Sequence, residues 1–293
     1  MPSITNNTIP LFIAEVSSNH GCDLERCYEF IDTAARIGCG AVKFQLFRIE
    51  ELFAPEVLTQ SKEHRERKQW ELPEQFIPLL AQHCQERKIE FSCTPFYLDA
   101  VEVLTPHVDF FKIASYELLW TDLLEKCAAS GKPVVLSTGM ADMAEINTAV
   151  KTLRDANCVD LTLLHCVSGY PAPVDQANLA AMQTIKNKFN CKIGWSDHTV
   201  SEAVIQRAIH KYDARIIELH LDLDEAGAEY KFGHCWLPDQ LERMISNVRE
   251  GMAADGDGIK VPVQVEIPDR QWRADPADGL RPLKSIRKTW KPE

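Results

Sequence analysis

The chain has 293 residues, of which 45% are hydrophobic and 26% are charged, a composition that is ordinary for a folded globular protein. Its formal net charge is −11, which argues against a nucleic acid or an anionic membrane surface as the main partner. A phosphorylated substrate is still compatible with this charge, because a few local lysines can outweigh it.

The cysteines and the N-terminus bear on the compartment. Ten cysteines are scattered along the chain, and no CxxC pair occurs. The first residues, MPSITNNTIP, lack the basic start and the apolar run of a signal peptide. No apolar run approaches the length of about 18 residues that a membrane span needs. We therefore predict a protein of the reducing cytoplasm with no membrane segment.

Short apolar runs alternate with longer amphipathic segments along the whole chain. Each run has the length of a strand, and the segments between runs carry apolar residues at helical spacing. The eight runs are 11–16, 41–46, 89–93, 108–114, 133–136, 161–165, 193–198 and 214–220. The first helix is predicted over 23–37, with Asp23 as its N-cap and Gly38 as its C-terminal stop. The last helix is predicted over 239–253.

Two segments depart from this alternation. Residues 47–73 form a long charged stretch, which predicts a lid-like insertion, a short extra helix or a solvated decoration. Residues 255–293 contain five prolines and clustered arginines and lysines. This composition predicts an extended tail without a core of its own, long enough to wrap the rest of the chain or to reach a neighbouring subunit.

The alternation predicts a (β/α)8 TIM barrel over residues 1–254, followed by the extended C-terminal tail at 255–293, because eight strand–helix units occupy about 250 residues. A doubly wound open sheet is the competing fold. No GxGxxG sequence follows any run, so the dinucleotide-binding version of that fold has no support. In a barrel the carboxyl ends of the strands carry the chemistry, so the polar residues that end the runs are the candidate site residues.

Two lysines lie inside apolar runs, where a lysine is seldom placed for stability. Lys43 lies in AVKFQL and Lys112 in VDFFKIA. Together with the Ser and Thr hydroxyls at neighbouring run ends, they predict a binding site for a phosphate or a carboxylate. The alternative is that each lysine extends its ammonium toward solvent or pairs with a nearby acid. Glu15 closes the first run and is either an acid–base candidate or the partner of Lys43.

Two histidines end the seventh and eighth runs. His198 and His220 are expected to meet at one mouth of the barrel, where neutral imidazoles are good ligands for a divalent transition metal. The alternative is that each histidine caps its strand and bonds to the backbone. Glu218 lies one pleat from His220, where it would orient a ligand or neutralise a lysine. Tyr170, in a GYPAP turn, is either a site residue or a packing residue.

The run ends taken together resemble one family. In chain order they read IAEVSSNHG, AVKFQ, SCTPF, FKIASYE, VVLSTGM, LLHCVSGYP, IGWSDHT and IIELH. This set resembles the sialic acid synthase (N-acetylneuraminate synthase) family, whose enzymes make nonulosonic acids from phosphoenolpyruvate and an N-acylated hexosamine. The resemblance implies a transferase that releases phosphate, built on a (β/α)8 barrel that holds Mn2+ or Mg2+.

The resemblance also implies roles for single residues. His198 and His220 would be the metal ligands, and Glu15 and Gln45 would lie close to the reacting carbons and complete the catalytic set. The expected substrate-binding residues are Lys43, Thr94, Lys112, Ser115, Ser137 and Ser196 at phosphoenolpyruvate, Tyr170 at the sugar, and Ser168, which stands where the family shows an Asn. The chemistry needs such a set, because phosphoenolpyruvate carries two anionic groups and an aldehyde must be polarised before it reacts.

The C-terminal part departs from the family pattern. The family carries an antifreeze-like domain that lends an arginine to the sugar site of the partner subunit, and this chain is expected to lack that domain. Arg273, Arg281 or Arg287 in the tail is a candidate replacement, and no motif decides between them. A homodimer is possible, but the usual reason for it is weakened.

The loop after His220 departs as well. The family shows a Pro-Gly-Pro-Asp-type turn whose acid binds sugar hydroxyls, and equal loop length puts Lys231 at the place of that acid. Glu229 would serve instead if the loop shifts by two residues. His234 and Trp236 are features outside the family pattern and are expected to be structural. An acceptor other than plain N-acetylmannosamine is therefore expected.

Two other functions stay open beside the synthase. One is an aldolase or lyase that uses a Schiff-base lysine on the same barrel. The other is a non-catalytic barrel subunit that supports a partner enzyme. The lysines and histidines at the run ends argue against the second, because a subunit without activity does not need them.

Overall fold

Eight parallel strands close into a barrel in the computed structural model, which describes residues 9–291. The strands are β1 (Leu11–Glu15), β2 (Ala41–Leu46), β3 (Glu90–Pro95), β4 (Phe110–Ile113), β5 (Val134–Ser137), β6 (Leu161–Cys166), β7 (Lys192–Asp197) and β8 (Ile216–His220). Each strand pairs with its neighbours in sequence, and β8 returns to pair with β1. This closure confirms the predicted (β/α)8 barrel and rules out the competing open sheet.

Helices follow the strands, as a parallel barrel requires. Those in the described residues are α1 (Leu24–Ile37), α2 (Ile49–Leu52), α3 (Pro55–Gln60), α4 (Lys62–Glu66), α5 (Ile77–Arg87), α6 (Leu98–Leu104), α7 (Thr121–Ala129), α8 (Met143–Asp155), α9 (Ala180–Phe189), α10 (Glu202–Tyr212), α11 (Pro238–Ala254) and α12 (Lys284–Arg287). None of them is both long and apolar enough to cross a membrane.

The ends of α1 agree with the expectation for its caps. The Asp23 carboxylate accepts hydrogen bonds from the backbone N–H groups of Glu25 and Arg26 at 2.9 and 3.2 Å. Gly38 ends the helix in the left-handed region at φ 94°, where a glycine is favoured. These caps fix where the chain leaves β1 and where it enters β2.

The interior of the barrel changes from apolar to polar along each strand. The lower layer is the buried cluster of Ile13, Ala41, Phe110, Val135, Leu164 and Ile216. Two residues further along the same strands stand Glu15, Lys43, Lys112, Ser137, Cys166 and Glu218. Because side chains in a strand repeat their direction every second residue, these groups continue the same inward rows. The apolar layer therefore forms the floor beneath a polar mouth at the carboxyl ends of the strands.

The long interruption between β2 and β3 is helical. It contains α2, α3 and α4 and a 3₁₀ turn over Arg67–Trp70, and most of its residues are exposed. The guanidinium of Arg48 lies 4.8 Å from the ring centroid of Tyr97, and the carboxylate of Glu71 accepts from the backbone N–H of Ile49 at 2.8 Å. These contacts fit the extra-helix alternative for this segment.

The chain divides into two compact units. One is Thr8–Glu250, which contains all eight strands. The other consists of Gly251–Glu293 and Met1–Asn7, and of these the structure describes residues 251–291. The domain boundary at 254 stays a prediction.

The described residues of the second unit form two 3₁₀ turns and α12, and they contain no strand. Asp275 is one of their few buried residues, and its carboxylate accepts from the backbone N–H groups of Ala277 and Lys284 at 2.9 and 2.7 Å. Trp272 and Trp290 meet edge to face, with ring centroids 6.3 Å apart. The segment is thus tied by local turns rather than by a hydrophobic core.

Candidate active site

Two buried lysines and two buried glutamates meet at the mouth of the barrel. The strand register places Glu15 beside Lys43, and these two form an ion pair. Glu218 lies between the lysines, with carboxylate oxygens 3.8 Å from Lys43 Nζ and 3.4 Å from Lys112 Nζ. We call Glu15, Lys43, Lys112 and Glu218 the lysine half of the mouth. The pairing with acids that was the alternative for these lysines is present. Lys43 also bonds Thr94 and Lys112 also bonds the Ile113 carbonyl oxygen, so each ammonium keeps one N–H donor for a ligand.

These pairings keep the lysine half charged at neutral pH. Burial opposes the charge of Lys43, but Glu15 and Glu218 outweigh it and raise the lysine pKa. Burial likewise opposes ionisation of Glu218, but Lys112 and Lys43 hold the pKa of that carboxyl down at about 2. Glu117 behaves differently, because its burial raises its pKa to about 7 and Lys112 only partly offsets that.

Hydroxyl groups surround the lysine half. Thr94 accepts a hydrogen bond from Lys43 Nζ at 3.1 Å, and Ser196 donates to Glu218 at 2.8 Å. Ser137 is buried, and its hydroxyl has no hydrogen-bond partner among the described residues. Five of the six groups expected at phosphoenolpyruvate, counting both lysines, therefore lie at the lysine half or one strand from it.

Ser115, the sixth of these groups, and Ser168 border a narrow gap at Gly139. Ser115 accepts from the backbone N–H of Gly139 at 3.0 Å and contacts Cys166 Sγ at 3.1 Å. A methyl group on Gly139 would lie 2.8 Å from the Ser115 hydroxyl and 2.4 Å from the Ser168 hydroxyl. The Ser168 hydroxyl is buried without a hydrogen-bond partner among the described residues. Glycine is thus what lets the two hydroxyls approach each other here.

Gln45 links the lysine half to the end of β1. Its amide donates to Glu15 at 2.6 Å and to the Ser17 hydroxyl at 3.1 Å. The Ser17 hydroxyl in turn donates to Glu229 at 2.5 Å. The expected pair Glu15 and Gln45 is therefore in direct contact, and Ser17 extends it toward the loop after β8.

The predicted metal ligands lie close together. The imidazole centroids of His198 and His220 are 5.3 Å apart, and the ring of Tyr170 lies 4.3 Å from His198. His198 Nδ1 lies 2.7 Å from the carbonyl oxygen of Val167, so this nitrogen carries the proton and Nε2 holds the lone pair. Burial, aided by nearby His220, lowers the pKa of His198 to about 3. An imidazole held neutral in this way is ready to bind a metal.

The loop after β8 places Glu229 in the mouth and leaves Lys231 exposed. Glu229 accepts from His220 Nδ1 at 3.2 Å, and its backbone N–H donates to Asn19 at 2.9 Å. The structure thus brings Glu229, rather than Lys231, into contact with the predicted site residues. Burial opposes the charge on both partners, yet their hydrogen bond raises the pKa of His220 and lowers that of Glu229.

His234 and Trp236, the two residues outside the family pattern, differ in their surroundings. Trp236 is buried and donates from Nε1 to Asp197 at 3.1 Å, which is the structural role expected for it. His234 was expected to be structural too, but its ring lies 4.6 Å from that of His220, and its Nε2 lies 3.4 Å from the Glu229 carboxylate. We call His198, His220, Glu229 and His234 the histidine half of the mouth.

Sequence reasoning left Ser17 out of the site. Its φ of 49°, which turns the chain at the end of β1 toward the loop, has no sequence signal. Nearby His20, four residues beyond the first run, accepts at Nδ1 from the backbone N–H of Cys22 at 2.9 Å. Burial lowers the pKa of His20 to about 4, so it is a neutral structural acceptor.

The closed barrel with a charged polar mouth at its carboxyl end defines a (β/α)8-barrel enzyme. The family model that matches the chain, over residues 30–260, is that of the NeuB family. The chain therefore belongs to the NeuB family, which includes the sialic acid synthases. This confirms the predicted family and the prediction of a condensing transferase of the sialic acid synthase type.

Known relatives agree with this assignment. The chain is 35% identical to N,N'-diacetyllegionaminic acid synthase of Campylobacter jejuni over 265 residues, which are 85% of this chain and 78% of the relative. It is 32% identical to pseudaminic acid synthase of Helicobacter pylori over 74% of this chain and 67% of the relative. The crystal structure of N-acetylneuraminic acid synthetase from Leptospira borgpetersenii superposes with a TM-score of 0.79 at 33% identity, covering 90% of each chain.

Proposed function

We propose that this enzyme condenses phosphoenolpyruvate with an N-acylated hexosamine or a related aldehyde sugar, releases phosphate and depends on a divalent metal. The observation that carries the proposal is the convergence of two buried lysines and two buried histidines at one barrel mouth. Relatives named legionaminic acid and pseudaminic acid synthases support a nonulosonic acid as the product.

The lysine half suits phosphoenolpyruvate. Lys43 and Lys112 supply the positive charge for its phosphate and carboxylate, and each keeps its own carboxylate partner through a different N–H. The hydroxyls that complete this pocket are those of Thr94, Ser115, Ser137, Ser168 and Ser196. The buried hydroxyls of Ser137 and Ser168 have no hydrogen-bond partner within residues 9–291. This supports the pocket, because a buried polar group without a partner costs about 1–3 kcal/mol.

The histidine half suits a divalent metal. His198 and His220 are buried, lie side by side and each have one ring nitrogen engaged by an oxygen, so the other nitrogen of each ring is the ligand atom. Nitrogen ligands of this kind fit Mn2+, whereas Mg2+ prefers oxygen. When bound, the metal polarises the sugar aldehyde.

Glu15 is the proposed proton acceptor in the reaction. Carbon 3 of phosphoenolpyruvate forms the new bond to the aldehyde carbon, and the aldehyde oxygen takes up a proton to become a hydroxyl. This leaves carbon 2 electron-deficient, and a water molecule adds to it and loses a proton. The bond from carbon 2 to the phosphate oxygen then breaks, the new hydroxyl becomes a carbonyl, and its proton goes to the released phosphate. Glu15, held by Gln45 at 2.6 Å and by Lys43, is placed to accept the proton of that water.

The acceptor is proposed to differ from plain N-acetylmannosamine. The loop 221–236 brings Glu229 into the mouth in place of the acid that the family usually carries there. Tyr170, whose ring packs on His198, would also touch the sugar. A hexose with two acetamido groups is the first candidate, because a relative is named for an N,N'-diacetyl product.

Phosphate release tests the proposal. The protein loaded with Mn2+ is incubated with phosphoenolpyruvate and a panel of N-acetylmannosamine and diacetamido hexoses, and free phosphate is measured. We expect release that depends on the acceptor and is negligible with phosphoenolpyruvate alone. A protein that binds Mn2+ and phosphoenolpyruvate yet releases no phosphate with any acceptor would contradict the proposal. His198→Gln is the matched loss-of-metal control.

The alternatives have their own tests. A Schiff-base lysine must be neutral to attack a carbonyl, and the glutamates that raise the pKa of Lys43 oppose this. Borohydride trapping of a covalent adduct would favour that chemistry. A non-catalytic subunit would show no phosphoenolpyruvate binding by calorimetry.

Location and assembly are further parts of the proposal. All ten cysteines are free thiols, which supports the cytoplasm. A homodimer is proposed, and sedimentation would measure it.

A further inference from the structure

Three histidine rings, not two, gather at the mouth. His234 is only 3% exposed, and its ring centroid lies 4.6 Å from His220 and 6.3 Å from His198. Ligand atoms bound at about 2 Å to one ion stand roughly 3–4 Å from each other. Ligand atoms of His220 and His234 lie within 4.8 Å of each other. The two-histidine site leaves the third ring without a function.

The hydrogen bonds fix which nitrogen of each ring is available. His198 donates from Nδ1 to Val167, which leaves Nε2 with the lone pair. The Glu229 carboxylate accepts from Nδ1 of His220 at 3.2 Å and from Nε2 of His234 at 3.4 Å. These bonds leave Nε2 of His220 and Nδ1 of His234 as lone-pair nitrogens. His234 Nδ1 is buried and has no hydrogen-bond partner among the described residues, so it carries an unused acceptor.

Glu229 is held in a way that suits an orienting carboxylate. The same oxygen faces both histidines, while its other oxygen accepts from the Ser17 hydroxyl at 2.5 Å. Its backbone N–H donates to Asn19 at 2.9 Å. Carboxylates that accept from the non-ligating N–H of a metal-bound histidine set its tautomer and its direction. One carboxylate does this here for two rings.

Cys235 is close but differs in its chemistry. Its sulfur belongs to a group with ligand atoms of His220, Glu229 and His234 that all lie within 4.8 Å of one another. Its sulfur already accepts a hydrogen bond from the side-chain amide of Asn19 at 3.6 Å. Thiolate ligands suit softer ions than Mn2+, so the Cys235 sulfur is left out of the ligand set.

We propose that His234 is a third imidazole ligand of the metal held by His198 and His220, with Glu229 orienting His220 and His234. The inference rests on the proposed function for the presence of a metal, and it adds a ligand from the loop after β8. Three protein ligands with positions left open are the composition of catalytic metal sites. A third nitrogen also shifts the preference from Mg2+ toward Mn2+, Co2+ and Zn2+.

Pulsed electron paramagnetic resonance of bound Mn2+ tests the ligand count on the unmodified protein. We expect couplings from three histidine nitrogens in the wild type and from two in His234→Gln. Titration of free Mn2+ should show an affinity loss on the order of 100-fold for His234→Gln and about 10- to 100-fold for Glu229→Gln. Circular dichroism checks that each variant folds. If a variant does not fold, the electron paramagnetic resonance spectrum of the wild type still gives the number of histidine nitrogens bound to Mn2+.

Cys235→Ser is the matched control, since it changes the neighbouring residue of the same loop. Its Mn2+ affinity should stay within about 3-fold of the wild type. Two nitrogen couplings in the wild type, with unchanged affinity in His234→Gln, would overturn the third ligand and leave the two-histidine metal site intact. A loss in Cys235→Ser as large as in His234→Gln would overturn the assigned set in favour of one that includes sulfur. A wild type that binds no Mn2+ would overturn both proposals.

Discussion

The two halves of the mouth differ in where their side chains come from. Every member of the lysine half stands on a strand, two residues above the apolar floor. The histidine half takes His220 from a strand and His198 from the residue after one, but Glu229 and His234 come from the loop after β8. Strand register fixes the positions of the lysine half once the barrel closes. The histidine half also requires the loop after β8 to fold over the mouth.

The electrostatics of the halves differ in the same way. The lysine half pairs full charges that burial cannot neutralise, and Lys43 and Glu218 both have pKa values shifted toward their charged forms. The histidine half contains a neutral imidazole, His198, beside the hydrogen-bonded pair of His220 and Glu229. In the proposed function, residues of the barrel strands bind the anion, whereas binding of the metal and the acceptor also depends on residues of one loop.

Removal of Lys112 is the strongest test of the lysine half. In Lys112→Met, Glu218 loses a partner at 3.4 Å and the anion site loses one of its two charges. Loss of one electrostatic donor to the reacting group costs about 100- to 1,000-fold in rate, so we expect phosphate release to fall by roughly that factor and phosphoenolpyruvate binding to weaken strongly. Steady-state phosphate release and calorimetry measure the two effects.

The matched control removes a lysine from a partly exposed ion pair. Lys126 pairs with Glu102 at 2.8 Å on the helical layer, and such a pair is worth about 0–1 kcal/mol. Lys126→Met should therefore leave phosphate release within about 3-fold. If Lys112→Met kept a tenth of the activity or more, the lysine half would not be the anion site.

Burial of Glu117 predicts that the stability of the fold depends on pH. Burial raises its pKa from 4.5 to about 7 in the folded chain, so the folded state favours the neutral carboxyl. The stability from this group is fully present below pH 4.5 and is lost as the pH rises through about 7. The loss amounts to about 3 kcal/mol, and Glu117→Gln should abolish it because the amide does not ionise.

Urea unfolding at pH 5 and pH 8 measures the difference between wild type and Glu117→Gln. The free energy of unfolding of the variant should rise relative to that of the wild type as the pH rises from 5 to 8. Glu125, an exposed glutamate of α7, supplies the control Glu125→Gln, whose difference from wild type should not change with pH. A constant difference for Glu117→Gln would show that the carboxyl ionises as readily in the folded chain as in the unfolded one.

The barrel and the lysine half could be predicted from the sequence because both rest on local patterns. The apolar runs predicted the strands, and a lysine within such a run indicated a candidate anion-binding group. Lys43 and Lys112 stand two residues beyond Ala41 and Phe110 of the floor, so a period of two was enough to place them.

The histidine half could be predicted only where it lies on or directly beside the strands. His198 and His220 follow from the run ends, but His234 comes from a loop whose path depends on backbone angles and on long-range partners. The backbone N–H of Glu229 donates a hydrogen bond to the Asn19 side chain, and this bond holds the Glu229 carboxylate at the mouth. The two residues lie far apart in the chain. Counting loop residues therefore pointed to Lys231 rather than Glu229.

Gly139→Ala tests the gap between the two serines with a smaller expected effect. The new methyl group would lie 2.4 Å from the Ser168 hydroxyl and 2.8 Å from that of Ser115, so both must move. Overpacking of this kind costs about 1–3 kcal/mol, and we expect phosphoenolpyruvate affinity to fall about 10-fold by calorimetry. Gly169→Ala is the control, because its methyl group would meet nothing closer than 3.6 Å. Equal affinities in the two variants would remove these serines from the phosphoenolpyruvate pocket.

Lys231→Ala has the smallest expected effect and separates the two ways of aligning the loop. Lys231 is exposed, and its ammonium lies 5.1 Å from the ring centroid of Phe232 rather than in the mouth. Its removal should change stability by no more than about 0.5 kcal/mol and leave kcat/KM for the acceptor within about 2-fold. Glu229→Gln, two residues earlier, should lower that kcat/KM by at least about 10-fold, because the carboxylate contacts His220 and Ser17. If Lys231→Ala were instead the more damaging of the two, the acceptor would be recognised from the position that equal loop length indicates, and the histidine half would have to be redrawn around Lys231.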